Sequence, residues 1–239
     1  MSKVADVRKE LQSMADQDKA AILQRFFKTG PGEYGEGDIL IGVIVPQSRQ
    51  VAKKFSQLAL GEVRTLLYSR IHEERLVALL ILTWQYSSAS SSRKKEEIMR
   101  FYLKHIKQVN NWDLVDLSAP NILGAYLFNS RDRRRLLYSL ARSENVWERR
   151  VAIVSTHRFI RNGDFSDTLK IAEMLLQDRH DLIHKAAGWM LREVGKRDAV
   201  VEEAFLEKHY SLMPRTMLRY AIERMPESKR QRYKKNADR

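Results

Sequence analysis

The chain has 239 residues, 44% of them hydrophobic, which is enough to bury the core of one large domain or of two small ones. A formal net charge of +13 predicts a polyanionic partner, with nucleic acid favoured over an anionic membrane; a basic protein without such a partner is the alternative. The absence of cysteine excludes disulfides, thiolate metal sites and a cysteine nucleophile, and it fits a reducing compartment.

The first predicted element is an amphipathic helix in MSKVADVRKELQSM, where Val4, Val7 and Leu11 recur at helical spacing. Charges are spread through this segment, unlike in a signal peptide. No apolar run along the chain reaches the roughly 18 residues that a membrane span needs. We therefore expect a soluble cytoplasmic protein, nucleoid-associated if bacterial, with no membrane partner.

The segment 29–42, TGPGEYGEGDILIG, interrupts the helical pattern, and its glycines match G-x-G-x-x-G. A dinucleotide site needs a preceding strand, whereas a helix precedes this segment, and Glu33 and Glu36 would repel a pyrophosphate. We predict a loop here and no cofactor. Pro46 then opens the next helix at its first turn, where the missing N–H has no helical partner to lose.

Further along the chain, helical periodicity recurs and no segment alternates as a strand would, so we predict an all-α fold without a sheet. The segment 87–94, SSASSSRK, is predicted to be a flexible turn between helices. Asn145, three residues before Glu148, resembles a capping pair at the start of an apolar helix. The basic tail 227–239, ESKRQRYKKNADR, is predicted to fray.

The helical segments also repeat, and five of them align at a roughly constant spacing of 34 to 37 residues. Such a period, built from helix pairs, is typical of HEAT-like solenoids, so we predict a single HEAT-like repeat domain over residues 1–239. Small residues at the aligned position let neighbouring helices approach closely. The aligned residues are Ala78, Val115, Ala152, Ala187 and Ala221.

On a helical wheel of the second helix in each repeat, cations of successive repeats fall on one arc. A row of cations on the concave side of a solenoid can neutralise successive phosphates, and we predict that this arc binds duplex DNA. The alternative is an ordinary solvated face. The predicted DNA-binding cations are Arg150, Arg161, Lys185, Arg192, Lys196 and Arg219.

Trp112, Asp116 and Trp189 fall on the same arc, where an acid would weaken simple phosphate binding. Trp112 and Asp116 are four residues apart and share one helical face. Two tryptophans with a carboxylate can hold a cationic group by ring-face attraction and charge. The alternatives are core tryptophans and a surface salt bridge at Asp116.

Three segments, NNWDLVD at 110–116, VWERRVAI at 146–153 and AAGWMLREVGKRD at 186–198, resemble the AlkD-type DNA glycosylases of the DNA alkylation repair family. FFKTGPGEYGEGD at 26–38 is similar to the N-terminal stretch of many members. The resemblance implies a right-handed, C-shaped α-α superhelix of HEAT-like repeats that cups duplex DNA. It also implies a monofunctional glycosylase that removes N3-methyladenine and N7-methylguanine during base excision repair.

By this resemblance Asp116 takes the place of the catalytic aspartate, and Arg150 that of the active-site arginine on the DNA backbone. Trp112 and Trp189 take the places of the two tryptophans beside the damaged nucleotide. The chain departs from the pattern at Phe26, near a position where members carry tyrosine, and in a longer, glycine-richer loop at 29–38.

Two other interpretations share these features: a non-catalytic HEAT-repeat protein that binds damaged or branched DNA, and a protein-interaction scaffold. A metal site is not predicted, because His180 and His184 lie at i, i+4 without a third ligand nearby. We expect a monomer that needs no cofactor and whose partner is double-stranded DNA containing alkylated bases.

Overall fold

The computed structural model describes residues 3–237, with side chains as far as Tyr233. Regular structure in these residues is helical, and the β-type pairing among them is an isolated parallel bridge between Ile39 and Ile71. The all-α prediction is therefore confirmed. The chain divides into two compact units between Ile122 and Leu123, and the single repeat domain over 1–239 stays a prediction. In the described part, no helix is long and apolar enough to cross a bilayer.

The first unit is organised around one buried helix, α5. Its apolar run VALLIL has no polar side, and α1, α3, α4, α6 and α7 pack against it. α2 has no buried side chain. The helices of this unit are α1 (Lys3–Ser13), α2 (Gln17–Phe26), α3 (Val45–Lys54), α4 (Leu60–Leu67), α5 (His72–Ser88), α6 (Ser92–Lys104) and α7 (Trp112–Ser118), with a 3₁₀ turn at Ile106–Gln108.

The second unit is organised around α13, against which α10, α11, α12, α14 and α15 pack. α13 combines a continuous buried face with charged residues on its other side, as expected of an amphipathic helix. The helices are α8 (Ala125–Phe128), α9 (Arg135–Ala141), α10 (Val146–Ser155), α11 (His157–Ile160), α12 (Ser166–Met174), α13 (Asp181–Gly195), α14 (Ala199–His209), α15 (Arg215–Ala221) and α16 (Glu227–Ala237), with 3₁₀ turns at Arg131–Arg134 and Ile222–Arg224.

The five aligned residues of the repeats are all buried, with exposed fractions of 0–1%. They lie in α5, α7, α10, α13 and α15, and α13 packs on both α10 and α15. Beside Ala187, a Cβ added at Gly188 would lie 2.3 Å from the carbonyl oxygen of Met217 in α15. Next to the register residue of α13, the backbone of α15 therefore approaches too closely for a side chain, which agrees with the predicted close approach of helices.

The start of α10 confirms the predicted cap. The side-chain oxygen of Asn145 accepts the N–H groups of Trp147 and Glu148 at 2.8 and 3.3 Å. Glu148 does not reach back to the amide of Asn145; its carboxylate accepts the hydroxyl of Ser143 at 2.6 Å, and that hydroxyl oxygen accepts the Asn145 N–H. Pro46 lies in the first turn of α3, as predicted.

The predicted turn at 87–94 is largely helical. α5 continues to Ser88 and α6 begins at Ser92, because the hydroxyl of Ser91 caps α6 by accepting the N–H of Lys94. Only 89–91 lie between the two helices. The serine-rich composition therefore located the break between the two helices correctly but predicted a longer turn than the structure has.

The predicted frayed tail is wrong for residues 227–237, which form α16. Tyr233 is 2% exposed, its hydroxyl donates to Glu207 at 2.9 Å and its ring packs edge-on against Tyr210. Lys229 pairs with Glu203. One buried aromatic side chain and acidic partners on α14 thus hold a segment whose composition alone indicates a solvated tail; residues 238–239 lie outside the described part.

The segment between α2 and α3 is a loop, as predicted. The carboxylates of Glu33 and Glu36 accept the N–H groups of Gly30 and Gly32 at 3.0 and 2.9 Å, so they occupy amides that a phosphate would use. Further on, the buried carboxylate of Glu73 accepts three successive amides, those of residues 41–43. Glu73 therefore fixes the end of this loop to the start of α5.

Candidate active site

Trp112 and Asp116 both lie on α7, one turn apart, and both side chains are partly buried. Trp112 begins this helix, and the side-chain oxygen of the fully buried Asn111 accepts its N–H at 2.8 Å. The structure therefore brings these two predicted site residues to one short helical face.

The chain changes its helical pitch just after Asp116. Pro120 has no N–H, so it cannot donate the ordinary helical hydrogen bond to the carbonyl of Asp116 four residues earlier. Residues Pro120–Gly124 form a π-helical turn instead. Such turns are frequent at functional sites, and this one directly follows the helix that carries the predicted catalytic acid.

The ring of Trp112 is held by three aromatic residues from the end of α2 and the loop after it; together these four residues form the Trp112 cluster. Phe27 stacks on the indole with centroids 5.2 Å apart and an interplanar angle of 19°, and Phe26 approaches edge-on at 5.7 Å. The indole N–H donates to the hydroxyl of Tyr34 at 3.3 Å. Phe26, where the family resemblance suggested a tyrosine, is 61% exposed.

A row of four charged side chains, the buried charge chain, contacts this cluster through Phe27. Arg75 donates to Asp38 at 2.6 Å, Asp38 contacts Nδ1 of His72 at 3.0 Å, and Nε2 of His72 contacts Asp113 at 2.8 Å. The first three side chains are 2–6% exposed and Asp113 is 14% exposed. Phe27 packs on the His72 ring, with centroids 4.9 Å apart.

The partners in the buried charge chain decide its protonation. Burial by itself lowers the pKa of His72, but the charge and hydrogen bond of Asp113, together with Asp38, outweigh it and raise that pKa to about 9. Burial likewise raises the pKa of Asp38, whereas His72 and Arg75 lower it, with a net downward shift. Near neutral pH His72 is therefore an imidazolium and Asp38 a carboxylate.

Sequence reasoning missed the buried charge chain. It assigned no role to His72, Asp38 or Asp113. A signal was nevertheless present: the run HEER at 72–75 stands immediately before the apolar run LVALLIL of the same helix, and all four of its residues are buried. Charged residues are almost never buried unless they are paired.

Trp189, in the second unit, has mainly local partners. Its indole N–H donates to Glu193 one turn further along α13 at 3.1 Å, and Glu193 pairs with Lys196 at 2.6 Å. The His157 ring lies 5.6 Å away at 43°. Burial lowers the pKa of His157, which favours its uncharged form.

Arg150 is not an exposed cation. Its side chain belongs to a residue only 5% exposed, and one guanidinium nitrogen donates to the carbonyl of Leu182 at 2.6 Å. Leu182 is in the first turn of α13, so Arg150 links α10 to α13. The helical wheel grouped Arg150 with surface lysines because angle around a helix does not measure burial.

The other predicted DNA-binding cations fall into two groups. Three have acidic partners: Lys185 pairs with Asp181 at 2.7 Å, Lys196 with Glu193, and Arg192 with both Glu193 and Glu223. The remaining two, Arg161 and Arg219, are exposed, and neither forms an ion pair among the side chains described as far as Tyr233. The cations thus lie on or directly after helices of the second unit, with different numbers of acidic partners.

His180 and His184, four residues apart, both form hydrogen bonds to the backbone around the start of α13. Nδ1 of His180 accepts the N–H of Leu182 at 3.1 Å, and Nε2 of His184 contacts the carbonyl oxygen of Asp178 at 2.6 Å. In the described residues no group of three or more His, Cys, Asp or Glu side chains is arranged to hold a metal ion.

Comparison with solved structures identifies similar folds. A predicted DNA alkylation repair enzyme from Enterococcus faecalis superposes with a TM-score of 0.71 at 15% identity, over 90% of this chain and 98% of that one. AlkD2 from Streptococcus mutans gives 0.56 at 14%, over 87% and 98%. The protein smu.31 from Streptococcus mutans UA159 gives 0.53 at 15%, over 84% and 94%. At these identities the likeness concerns the fold.

No curated protein matches this chain. The model of the DNA alkylation repair enzyme family, in contrast, matches residues 7–225, a span that includes α7, α10 and α13 with all the predicted catalytic residues. The chain therefore belongs to the DNA alkylation repair enzyme family, and its role is in the repair of alkylated DNA.

Proposed function

We propose that the protein is a monofunctional DNA glycosylase that excises positively charged alkylated purines, such as N3-methyladenine and N7-methylguanine, from duplex DNA in base excision repair. The observation that carries this proposal is the placement of Asp116 one helical turn from Trp112, whose ring is held by the Trp112 cluster. In this proposal the protein acts as a monomer in the cytoplasm, without a metal ion or cofactor.

Asp116 is the proposed catalytic carboxylate. An alkylated purine already carries a positive charge, so the base leaves with the electron pair of the glycosidic bond and becomes neutral. Positive charge then develops on the deoxyribose, where a fixed carboxylate stabilises it. The same carboxylate can orient a water molecule and accept its proton as the oxygen adds to the anomeric carbon.

Trp112 and Trp189 are proposed to present ring faces to the cationic sugar or base. A tryptophan face attracts a cation most strongly where water is excluded, and packing that immobilises the ring beforehand reduces the entropy lost on binding. Phe27 already covers one face of Trp112. The opposite face is therefore the one we assign to the substrate.

Contacts to the DNA backbone are assigned to the cations of the second unit. Arg150, by resemblance to the family's active-site arginine, is proposed to contact a phosphate through the small part of its side chain that is exposed. Arg161, Lys185, Arg192, Lys196 and Arg219 are proposed to contact other phosphates, releasing counterions as they bind.

Base release from a duplex with one N7-methylguanine tests the proposal. Asp116→Asn should slow release by about 10²-fold or more, since comparable losses follow removal of one charge-stabilising group elsewhere. Its duplex affinity should be equal or higher because a negative charge is lost. Asp18→Asn, an exposed acid on α2, is the matched control and should behave as the wild type.

Release by Asp116→Asn at the wild-type rate would remove Asp116 from the chemistry. If the wild type releases neither N7-methylguanine nor the more labile N3-methyladenine, yet binds duplex DNA tightly and salt-sensitively, the protein is the non-catalytic DNA binder instead.

A further inference from the structure

The buried charge chain links three segments that are distant in sequence. Asp38 belongs to the loop after α2, His72 and Arg75 to the first turn of α5, and Asp113 to the first turn of α7. Charged groups at such burial are destabilising unless each finds a partner, and here every charge has one of opposite sign. The arrangement makes the position of α7 depend on His72.

His72 can serve both carboxylates only as an imidazolium. A neutral imidazole has one N–H, whereas both ring nitrogens of His72 lie within 3.0 Å of a carboxylate oxygen. No second hydrogen bond replaces this contact, since Oδ1 of Asp113 is buried without a hydrogen-bond partner in the described residues. Loss of the Nε2 contact would leave that carboxylate unpaired beside Trp112.

A second path leads from His72 to the same tryptophan. Phe27 lies between the imidazole of His72 and the indole of Trp112, in contact with both rings. His72 therefore touches α7 through Asp113 and supports the face of Trp112 through Phe27. Both contacts end at the first turn of the helix that carries Asp116.

We infer that His72, as an imidazolium between Asp38 and Asp113, is a positioning residue that fixes the first turn of α7 and thereby orients Trp112 and Asp116 for base excision. The inference rests on the proposed glycosylase function for its effect on rate. Its structural content, that the setting of Trp112 follows the protonation of His72, holds independently of catalysis.

The charged groups facing His72 all belong to the buried charge chain: Asp113 from α7, Asp38 from the loop, and Arg75 from its own helix. The neighbouring acids of α5 face elsewhere, with Glu73 on the amides of 41–43 and Glu74 on Arg8 of α1. Titration of His72 is therefore governed by these three groups. Proton loss at alkaline pH would leave two carboxylates with one imidazole N–H.

The test compares single-turnover base release, duplex affinity and NMR titration from pH 6 to pH 10 in the wild type and three variants. His72→Gln should lower the rate constant by about 10- to 100-fold, the effect typical of small misplacement, while changing duplex affinity less than threefold. Asp38→Asn should keep the shape of the side chain but remove one negative charge beside His72, which lowers the pKa of His72. The decline in rate at alkaline pH should therefore begin at lower pH than in the wild type. His105→Gln, another buried histidine in the same unit, is the matched control and should retain the wild-type rate and pH profile.

The NMR readout keeps the inference testable apart from catalysis. In the wild type, the indole N–H signal of Trp112 should shift as the His72 imidazole loses its proton near pH 9, and Asp38→Asn should move both transitions to lower pH together. A His72 transition near pH 6.5, or a Trp112 signal indifferent to it, overturns the inference. If the wild type releases no base, the glycosylase proposal fails, and the NMR result alone decides whether His72 positions Trp112.

Discussion

Trp112 and Trp189 are two predicted site residues of the same type, held in different ways. Trp112 is packed by Phe26 and Phe27 and donates its indole N–H to Tyr34, which lies 78 residues away in the sequence. Trp189 bonds to Glu193 on its own helix, and that acid pairs with Lys196 one turn further. The first ring depends on long-range packing, the second mainly on local, partly solvated contacts. Solvated contacts are weaker, so damage around Trp112 should have the larger effect.

The largest expected effect comes from removing the ring that supports Trp112. Phe27→Ala should lower the free energy of unfolding by about 3–5 kcal/mol, as for other buried phenylalanines, and slow base release. His157→Ala, beside Trp189, should lower it by only about 1 kcal/mol because that ring is partly exposed. Urea denaturation followed by circular dichroism measures both; equal losses would mean that the two tryptophans are supported alike.

The next largest effect concerns the close contact between α13 and α15, and it is expected in the free energy of unfolding. Gly188→Ala should destabilise the protein by about 1–3 kcal/mol, because the added Cβ would meet the carbonyl of Met217 and the side chain of Tyr220. Gly61→Ala in α4 is the matched control, since its Cβ would meet nothing, and it should be neutral or stabilise by up to about 1 kcal/mol. A stabilised Gly188→Ala protein would show that α13 and α15 are not in close contact there.

In each unit, a buried side chain keeps its proton at neutral pH because its pKa is raised: His72 in the first unit and Glu202 in the second. Burial and the nearby Glu203 raise the pKa of Glu202 to about 8, as the partners of His72 raise its pKa to about 9. In both cases the folded state keeps a proton that the unfolded state releases, so stability falls with rising pH: from about 4.5 to 8 for Glu202 and from about 6.5 to 9 for His72.

Glu202→Gln separates the two contributions. It should raise the melting temperature at pH 8.5 by a few degrees and remove the decline between pH 5 and 7, leaving the decline due to His72 at higher pH. Melting curves across pH 5–9.5 measure this. An unchanged profile in the variant would mean that Glu202 ionises normally in the folded protein.

The smallest effect concerns the cations of the second unit. Arg161→Ala should flatten the dependence of log affinity on log salt by about one unit if it contacts a phosphate. Lys196→Ala should flatten it less, because Lys196 must first leave Glu193. Duplex binding between 50 and 200 mM salt measures both; a steeper loss for Lys196 would mean that its pairing with Glu193 does not compete with DNA.

Local rules in the sequence predicted much of the fold. Apolar spacing located the helices, Asn145 and Pro46 marked two helix starts, and the repeat register identified Ala187 as a buried contact residue. The register also placed Trp112 and Asp116 together, since a four-residue spacing within one helix fixes their shared face. These features depend on residues a few positions apart.

The sequence failed where partners are distant. The charge-rich tail forms α16 because Tyr233 is buried against Tyr210. Arg150 is buried between two helices because its guanidinium donates to the carbonyl of Leu182. Neither outcome can be seen from composition or from a helical wheel, which contains no information on what packs against a helix.

The helical class, the repeat and the positive charge could be predicted from the sequence because periodicity and net charge are properties of the chain alone, and the four catalytic residues stay a prediction. How those residues are held depends on folding: Trp112 stacks on Phe27, and His72 joins Asp38 to Asp113. The reason is physical. Burial and charge pairing depend on groups brought together by folding, and the carboxylates that surround His72 raise its pKa far enough to keep it charged at neutral pH.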